Sequence, residues 1–175
     1  MDQKTEKKLE EIIRVNHAGE LGAQDIYKNQ IKFCKDGKLK KELEKISQEE
    51  KIHYDYFENL ILKKRIRPTL MSPAWKVGSF FLGAITSRLG SNYVYACTEA
   101  VEEVIVKHYQ EQIEYLEKNK LEEKLKKKIK KFCKEEDQHR TYADQSIIKD
   151  DLALKVFKGF TKSVTKLAIE ISKKI

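Results

Sequence analysis

A chain of 175 residues with a net charge of +8, 37% charged side chains, two prolines and seven glycines is about the size of one domain and long enough to bury a substantial core. Lys, Glu, Leu and Ile dominate and no alternating strand pattern is evident, which argues against a sheet and for an all-α protein. Three cysteines, Cys34, Cys97 and Cys133, lack pair spacing and a signal peptide, so a disulfide framework is disfavoured and a reducing cytoplasm fits.

In chain order, a first helical pattern begins near Thr5 and ends at "KDGK" (35–38), where Gly37 stands as a C-cap. A second runs to about Lys64. "RPTLMSP" (67–73) then breaks the pattern twice, and Ser72 with Pro73 reads as an N-cap followed by proline at the first helical position. A short apolar segment follows. Beyond "RLGSN" a long helix is expected over Ser91–Lys118, another from about Lys120 to Ile148, and a last one from Asp150 or Asp151 to the C-terminus. Four long helices, one short and one terminal form a single domain over 1–175.

Each long helix carries a carboxylate on its apolar stripe. The first stripe is Ile13, His17, Glu20, Gln24, Tyr27 and Ile31; the second is Leu39, Leu43, Ile46, Glu50, His53, Phe57 and Leu60. The third is Tyr95, Thr98, Glu102, Ile105, Tyr109, Ile113 and Leu116, and the fourth is Leu125, Ile129, Phe132, Glu136, His139 and Ala143. Glu50 and Glu136 each precede a histidine by three residues on the same face. With 28 acidic residues in 175, one Glu-x-x-His is a weak signal. The order Glu, Glu-x-x-His, Glu, Glu-x-x-His, with intervals of 30 residues from Glu20 to Glu50 and 34 from Glu102 to Glu136, reads as a duplicated helix hairpin.

Burying these groups costs several kcal/mol unless something pairs with them. Two glutamates plus a Glu-x-x-His from each of two further helices is the ligand set of a di-iron or di-manganese carboxylate bundle. Four carboxylates offset two divalent ions, and two neutral imidazoles add no charge. A zinc site more often recruits cysteines, which here do not cluster. Glu103 beside Glu102 and Glu135 beside Glu136 are neighbouring acids that the stripes disfavour.

The stretches "IIRVNHAGELGAQDIYKNQ" (12–30), "EEKIHYDYF" (49–57), "ACTEAVEEVIVKHYQEQI" (96–113) and "EEDQHRTYAD" (135–144) span nearly the whole chain, and the chain resembles the demethoxyubiquinone hydroxylases of ubiquinone biosynthesis. Asn16 stands where that family more often has Asp before "HAGE". The resemblance implies a ferritin-like four-helix bundle whose iron ligands fall on Glu20, Glu50, His53, Glu102, Glu136 and His139, with Glu50 and Glu136 bridging two iron ions. It further implies O2 as co-substrate, NADH as reductant, a polyprenyl quinone substrate, and His108 and Tyr109 close to the substrate pocket. His17 is expected to pack or hydrogen-bond beside the ligands. No GxGxxG fingerprint marks a nicotinamide site.

Gly19 and Gly22 each weaken an ordinary helix by about 1 kcal/mol, so "HAGELGA" is expected to mark close helix approach or room for a ligand. The segment 71–90 has an uncharged run from Val77 to Ser87, eleven residues, short of the roughly 20 needed to cross a bilayer. With Trp75, Phe80, Phe81, Leu82 and Ile85 behind "KKRIR", it suits a helix lying on the inner face of the cell membrane; an ordinary core helix is the plainer reading. The lysine runs "KKR" (63–65) and "KLKKKIKK" (124–131) read as solvated faces, and nucleic acid is disfavoured because no binding motif accompanies them. Two rival classes remain: a ferritin- or rubrerythrin-like iron-storage or peroxide-scavenging protein, and a non-enzymatic basic bundle binding lipid or nucleic acid. A homo-oligomer or a lipid-presenting partner protein is left open, as are the quinone's tail length and the route of electron delivery.

Overall fold

The computed structural model describes residues 2–174. Six helices run in order: α1 (Gln3–Phe33), α2 (Gly37–Lys64), α3 (Ser72–Leu89), α4 (Ser91–Lys118), α5 (Glu123–Ser146) and α6 (Leu152–Lys174). No strand occurs among the described residues, and the all-α class is consistent with the ferritin-like fold expected.

Local chemistry sets the ends. Asp2 caps α1 by accepting from the Thr5 amide, and Asp151 accepts from the Leu154 amide at 3.0 Å at the start of α6. Gly37 is not a C-cap: Cys34 closes α1, and Gly37 is the first residue of α2 because the Asp36 carboxylate accepts from the Lys38 and Leu39 amides. The aspartate three residues after the end of α1 starts the next helix more strongly than glycine stops the previous one. Ser72 likewise lies inside α3, with Met71 in the cap position and Pro73 in the first turn; the Ser72 hydroxyl donates back to the Thr69 carbonyl at 2.9 Å.

The chain forms two compact units, Met1–Ser91 with Leu167–Ile175, and Asn92–Lys166. In the first, α1 and α2 are antiparallel: Gln24 donates to the Ser47 carbonyl, and His17 lies against Glu58. Helix α3 runs parallel to α1, since Ser79 neighbours Gly22 while Ser87 donates to the Gln30 carbonyl. In the second, α4 and α5 are antiparallel, with Tyr95 against Tyr142 at one end and Lys130 paired to Glu117 at the other. The first part of α6 runs parallel to α4, from Phe157 on Tyr93 to Lys162 on Glu103. The duplicated hairpin is therefore present, and each copy carries a third helix parallel to its first.

Close helix approach is found at Gly83 and not at Gly22. A Cβ on Gly83 would meet the Ile26 carbonyl oxygen at 2.5 Å and the Asn29 Cβ at 2.9 Å, so α3 sits directly on the α1 backbone. A Cβ on Gly22 would meet only the Ser79 hydroxyl at 3.5 Å, an ordinary contact. The remainder of α3 turns Val77, Phe81, Ile85 and Leu89 outward.

Candidate metal centre

In the first unit, α1 contributes Glu20 and α2 contributes Glu50 and His53. The i, i+3 spacing puts Glu50 and His53 on one face of α2, and the antiparallel pairing brings that face to Glu20. His53 Nδ1 lies 3.8 Å from Glu20 Oε2. Each of the three residues offers a ligand atom within 4.8 Å of the others. This spacing brings two oxygens and a nitrogen close enough to share one ion.

In the second unit, α4 contributes Glu102 and α5 contributes Glu136 and His139, with His139 Nδ1 3.1 Å from Glu136 Oε2. All six residues are at most 6% exposed. The adjacent acids separate cleanly. Glu103 is exposed and receives the Lys162 ammonium at 2.6 Å, which holds its carboxyl below the usual range; Glu135 pairs with Lys131 at 3.2 Å. Helical geometry turns each of these neighbours about 100° away from the seam, so solvent-side lysines meet them.

The α2 and α5 seams are otherwise apolar. On α5 Leu125, Ile129, Phe132 and Ala143 are buried beside Glu136 and His139, and on α2 Leu39, Leu43, Ile46 and Phe57 are buried beside Glu50 and His53. Leu60, expected on that stripe, is only partly buried, and Ile61 takes the core position. Cys97 is fully buried; burial first, and the charge of Glu102 second, push its thiol far up. Burial, then Asp137 and Glu136, raise that of Cys133. Both stay protonated near neutral pH, so the ligands on offer are hard carboxylate oxygens and imidazoles. That set fits iron or manganese better than a thiolate-bound metal.

His17 is buried, one turn before Glu20, with Nε2 2.6 Å from Glu58 Oε2 and its ring against Tyr54 at 5.3 Å between centroids. Burial lowers its pKa, and the Glu58 carboxylate opposes that shift. Glu58 lies off the α2 stripe, so helical periodicity could not identify it; a count of residues back across the hairpin from His17 could. Gln112 donates to His108 Nε2 at 2.7 Å, fixing the ring of the partly buried His108, while Tyr109 is fully buried. A second group was not anticipated: Glu99, buried on α4, receives Lys162 at 3.2 Å and Lys158 at 3.8 Å from α6.

Comparison with known proteins places the chain among named relatives over most of its length. The family model described as ubiquinone biosynthesis protein COQ7 matches residues 7–172. A Dictyostelium discoideum protein named NADPH-dependent 3-demethoxyubiquinone 3-hydroxylase, mitochondrial, is 37% identical over 95% of this chain and 77% of its own length. The human protein of the same name is 36% identical over 100% of this chain and 82% of its own, and a Rhodospirillum rubrum 3-demethoxyubiquinol 3-hydroxylase is 36% identical over 95% and 78%. The chain belongs to the ubiquinone biosynthesis protein COQ7 family.

Proposed function

We propose that this protein hydroxylates the ring of a demethoxyubiquinone with O2, and that Glu20, Glu50 and His53 serve one di-iron site together with Glu102, Glu136 and His139. The observation that carries the reading is the burial of six acid and imidazole ligands, three on each of two equivalent hairpins, in a chain of this family. Two iron ions bound there would supply the activation of O2 for transfer of one oxygen atom to the ring. The four glutamates would hold and neutralise the ions, and His53 and His139 would complete their shells. The apolar residues around them keep bulk water from the reacting centre, which strengthens each charge interaction there. His108, held by Gln112, and the adjacent Tyr109 are assigned to the substrate side.

The electrons come from a reduced nicotinamide nucleotide. NADH was expected from the resemblance, whereas the names of the Dictyostelium and human relatives specify NADPH; steady-state rates with each nucleotide decide between them. No described helix is long and apolar enough to cross a membrane. The outward stripe of Val77, Phe81, Ile85 and Leu89 on α3 supports a peripheral position on the inner face of the cell membrane, where a polyprenyl quinone resides. An iron-storage protein has no use for such a face.

The test is a strain lacking the protein. It should accumulate demethoxyubiquinone, and the intact gene should restore ubiquinone with the new ring oxygen labelled from 18O2. Accumulation of another precursor, or label arriving from water, overturns the assignment.

A further inference from the structure

Helix α6 has a buried face and an exposed apolar one. One packs inward through Leu154, Thr161, Ile169 and Ser172, all buried. The other comprises Leu152, Val156, Phe160, Val164 and Leu167, between 44 and 77% exposed. At about 100° per residue these five fall within an arc of about 120°, roughly opposite the buried one. A contiguous stripe of this kind is unusual on a soluble surface and marks a contact.

Its setting identifies the contact. Helix α6 carries six lysines against one acid, Glu170. Lys158 and Lys162 are engaged with Glu99 and Glu103, while Lys155 and Lys166 are exposed along one flank of the stripe. A second copy of the chain would bring this cationic rim against itself. An anionic lipid surface complements it: the apolar stripe enters the acyl boundary, and the lysine stems reach the headgroups.

The third helices of the two hairpins also share a pattern. "KVGSFFLGAIT" (76–86) and "KVFKGFTKSVT" (155–165) align Lys76 with Lys155, Val77 with Val156, Phe81 with Phe160, Ile85 with Val164 and Thr86 with Thr165. The outward valine, phenylalanine and β-branched residue thus recur at the same positions. We infer that the exposed face of α6 is a second lipid-binding surface, used on anionic membranes in addition to α3. The inference extends the membrane reading of α3 and is tested separately from it.

Flotation of the full chain with vesicles of phosphatidylcholine, with and without a quarter of phosphatidylglycerol, measures the binding. Val156→Ser with Phe160→Ser should lower partitioning onto the anionic vesicles about tenfold or more, with helical circular dichroism unchanged because both positions are exposed. A Phe160→Trp reporter in a Trp75→Phe background should blue-shift and be quenched by brominated acyl chains on binding. An unquenched reporter in vesicle-bound protein overturns the inference. So does wild-type flotation of the serine variant, including the case in which that variant dissolves a dimer seen by sedimentation. Val77→Ser with Phe81→Ser tests α3 in the same assay: if it alone weakens flotation, α6 fails and α3 stands, and if the α6 variant alone weakens it, the reverse holds.

Discussion

Helices α3 and α6 occupy equivalent places, each parallel to the first helix of its own hairpin, yet they are held by different chemistry. Helix α3 meets α1 through Gly83, whose missing Cβ admits the Ile26 carbonyl and Asn29, and through neutral bonds among Gln30, Thr86 and Ser87. At the aligned position α6 has Lys162, which reaches Glu99 and Glu103 on α4. One copy docks by close steric fit and the other by charge. An arrangement can therefore persist through duplication while the contacts that maintain it are replaced. The seams proposed to hold metal, by contrast, carry Glu and Glu-x-x-His in both copies; a metal site constrains its donors more tightly than a packing site constrains its fillers.

The largest effect expected from breaking this comparison is at the seams. Glu20→Ala in the first copy and Glu136→Ala in the second should each reduce iron from about two per chain to a minor residue in anaerobic reconstitution, measured by colorimetric iron assay. Retention of full iron by either variant would remove that hairpin from the centre. Next comes Gly83→Ala, which forces a methyl group into the α1 backbone and should cost about 1–3 kcal/mol in chemical denaturation; a neutral result would show that the fit of α3 is loose.

Lys162→Met should cost about 1 kcal/mol, since Lys158 still faces Glu99 and Glu103 is largely solvated. Its signature is pH dependence. The Glu103 pKa is lowered from its ordinary 4.5, first by the Lys162 hydrogen bond, so its contribution is present above that value and lost as pH falls through the lower folded one. Burial lowers the Lys162 pKa, but the bonds to Glu103 and Glu99 outweigh it and raise the net value above 10.5; that contribution is present below 10.5 and lost as pH climbs through the folded value. The wild-type advantage over Lys162→Met should span the range between and shrink at both ends. The groups docking α3 through Gly83 do not titrate there, so the Gly83→Ala penalty should be flat over the same range.

The smallest effect is a gain. Gly22→Ala meets only the Ser79 hydroxyl at ordinary distance and should stabilise by about 0.5–1 kcal/mol through helix propensity. A loss there would mean that the space beside Gly22 is needed after all.

Much of this was legible in the sequence because burial follows a helical period. Glu102 and Glu136 are set apart from Glu103 and Glu135 by that period, together with the family resemblance at Glu102, and the structure buries the first two and pairs the others with lysine. What escaped were features that depend on which helix lies beside which. Gly83 is unremarkable until the Ile26 carbonyl is known to sit beneath it, whereas Gly19 and Gly22 stand out as two glycines that weaken one long helix. Glu58 and Glu99 are partners across helices, off any apolar stripe. The α6 stripe was obscured because its apolar residues alternate with lysines, so that only the packing of Leu154 and Thr161 shows which face is left over. Asp36 was missed because glycine at 37 has two roles, and the aspartate before it decides between them.

The central claim is that two half-sets of ligands, one from each hairpin, serve a single di-iron site. Mössbauer spectroscopy of protein reconstituted with 57Fe and then oxidised tests it most directly. One shared site predicts a magnetically coupled ferric pair in the wild type, and loss of that signal, not of half of it, when either His53→Ala or His139→Ala is introduced. Uncoupled ferric ions, with each variant losing one of them independently, would contradict it.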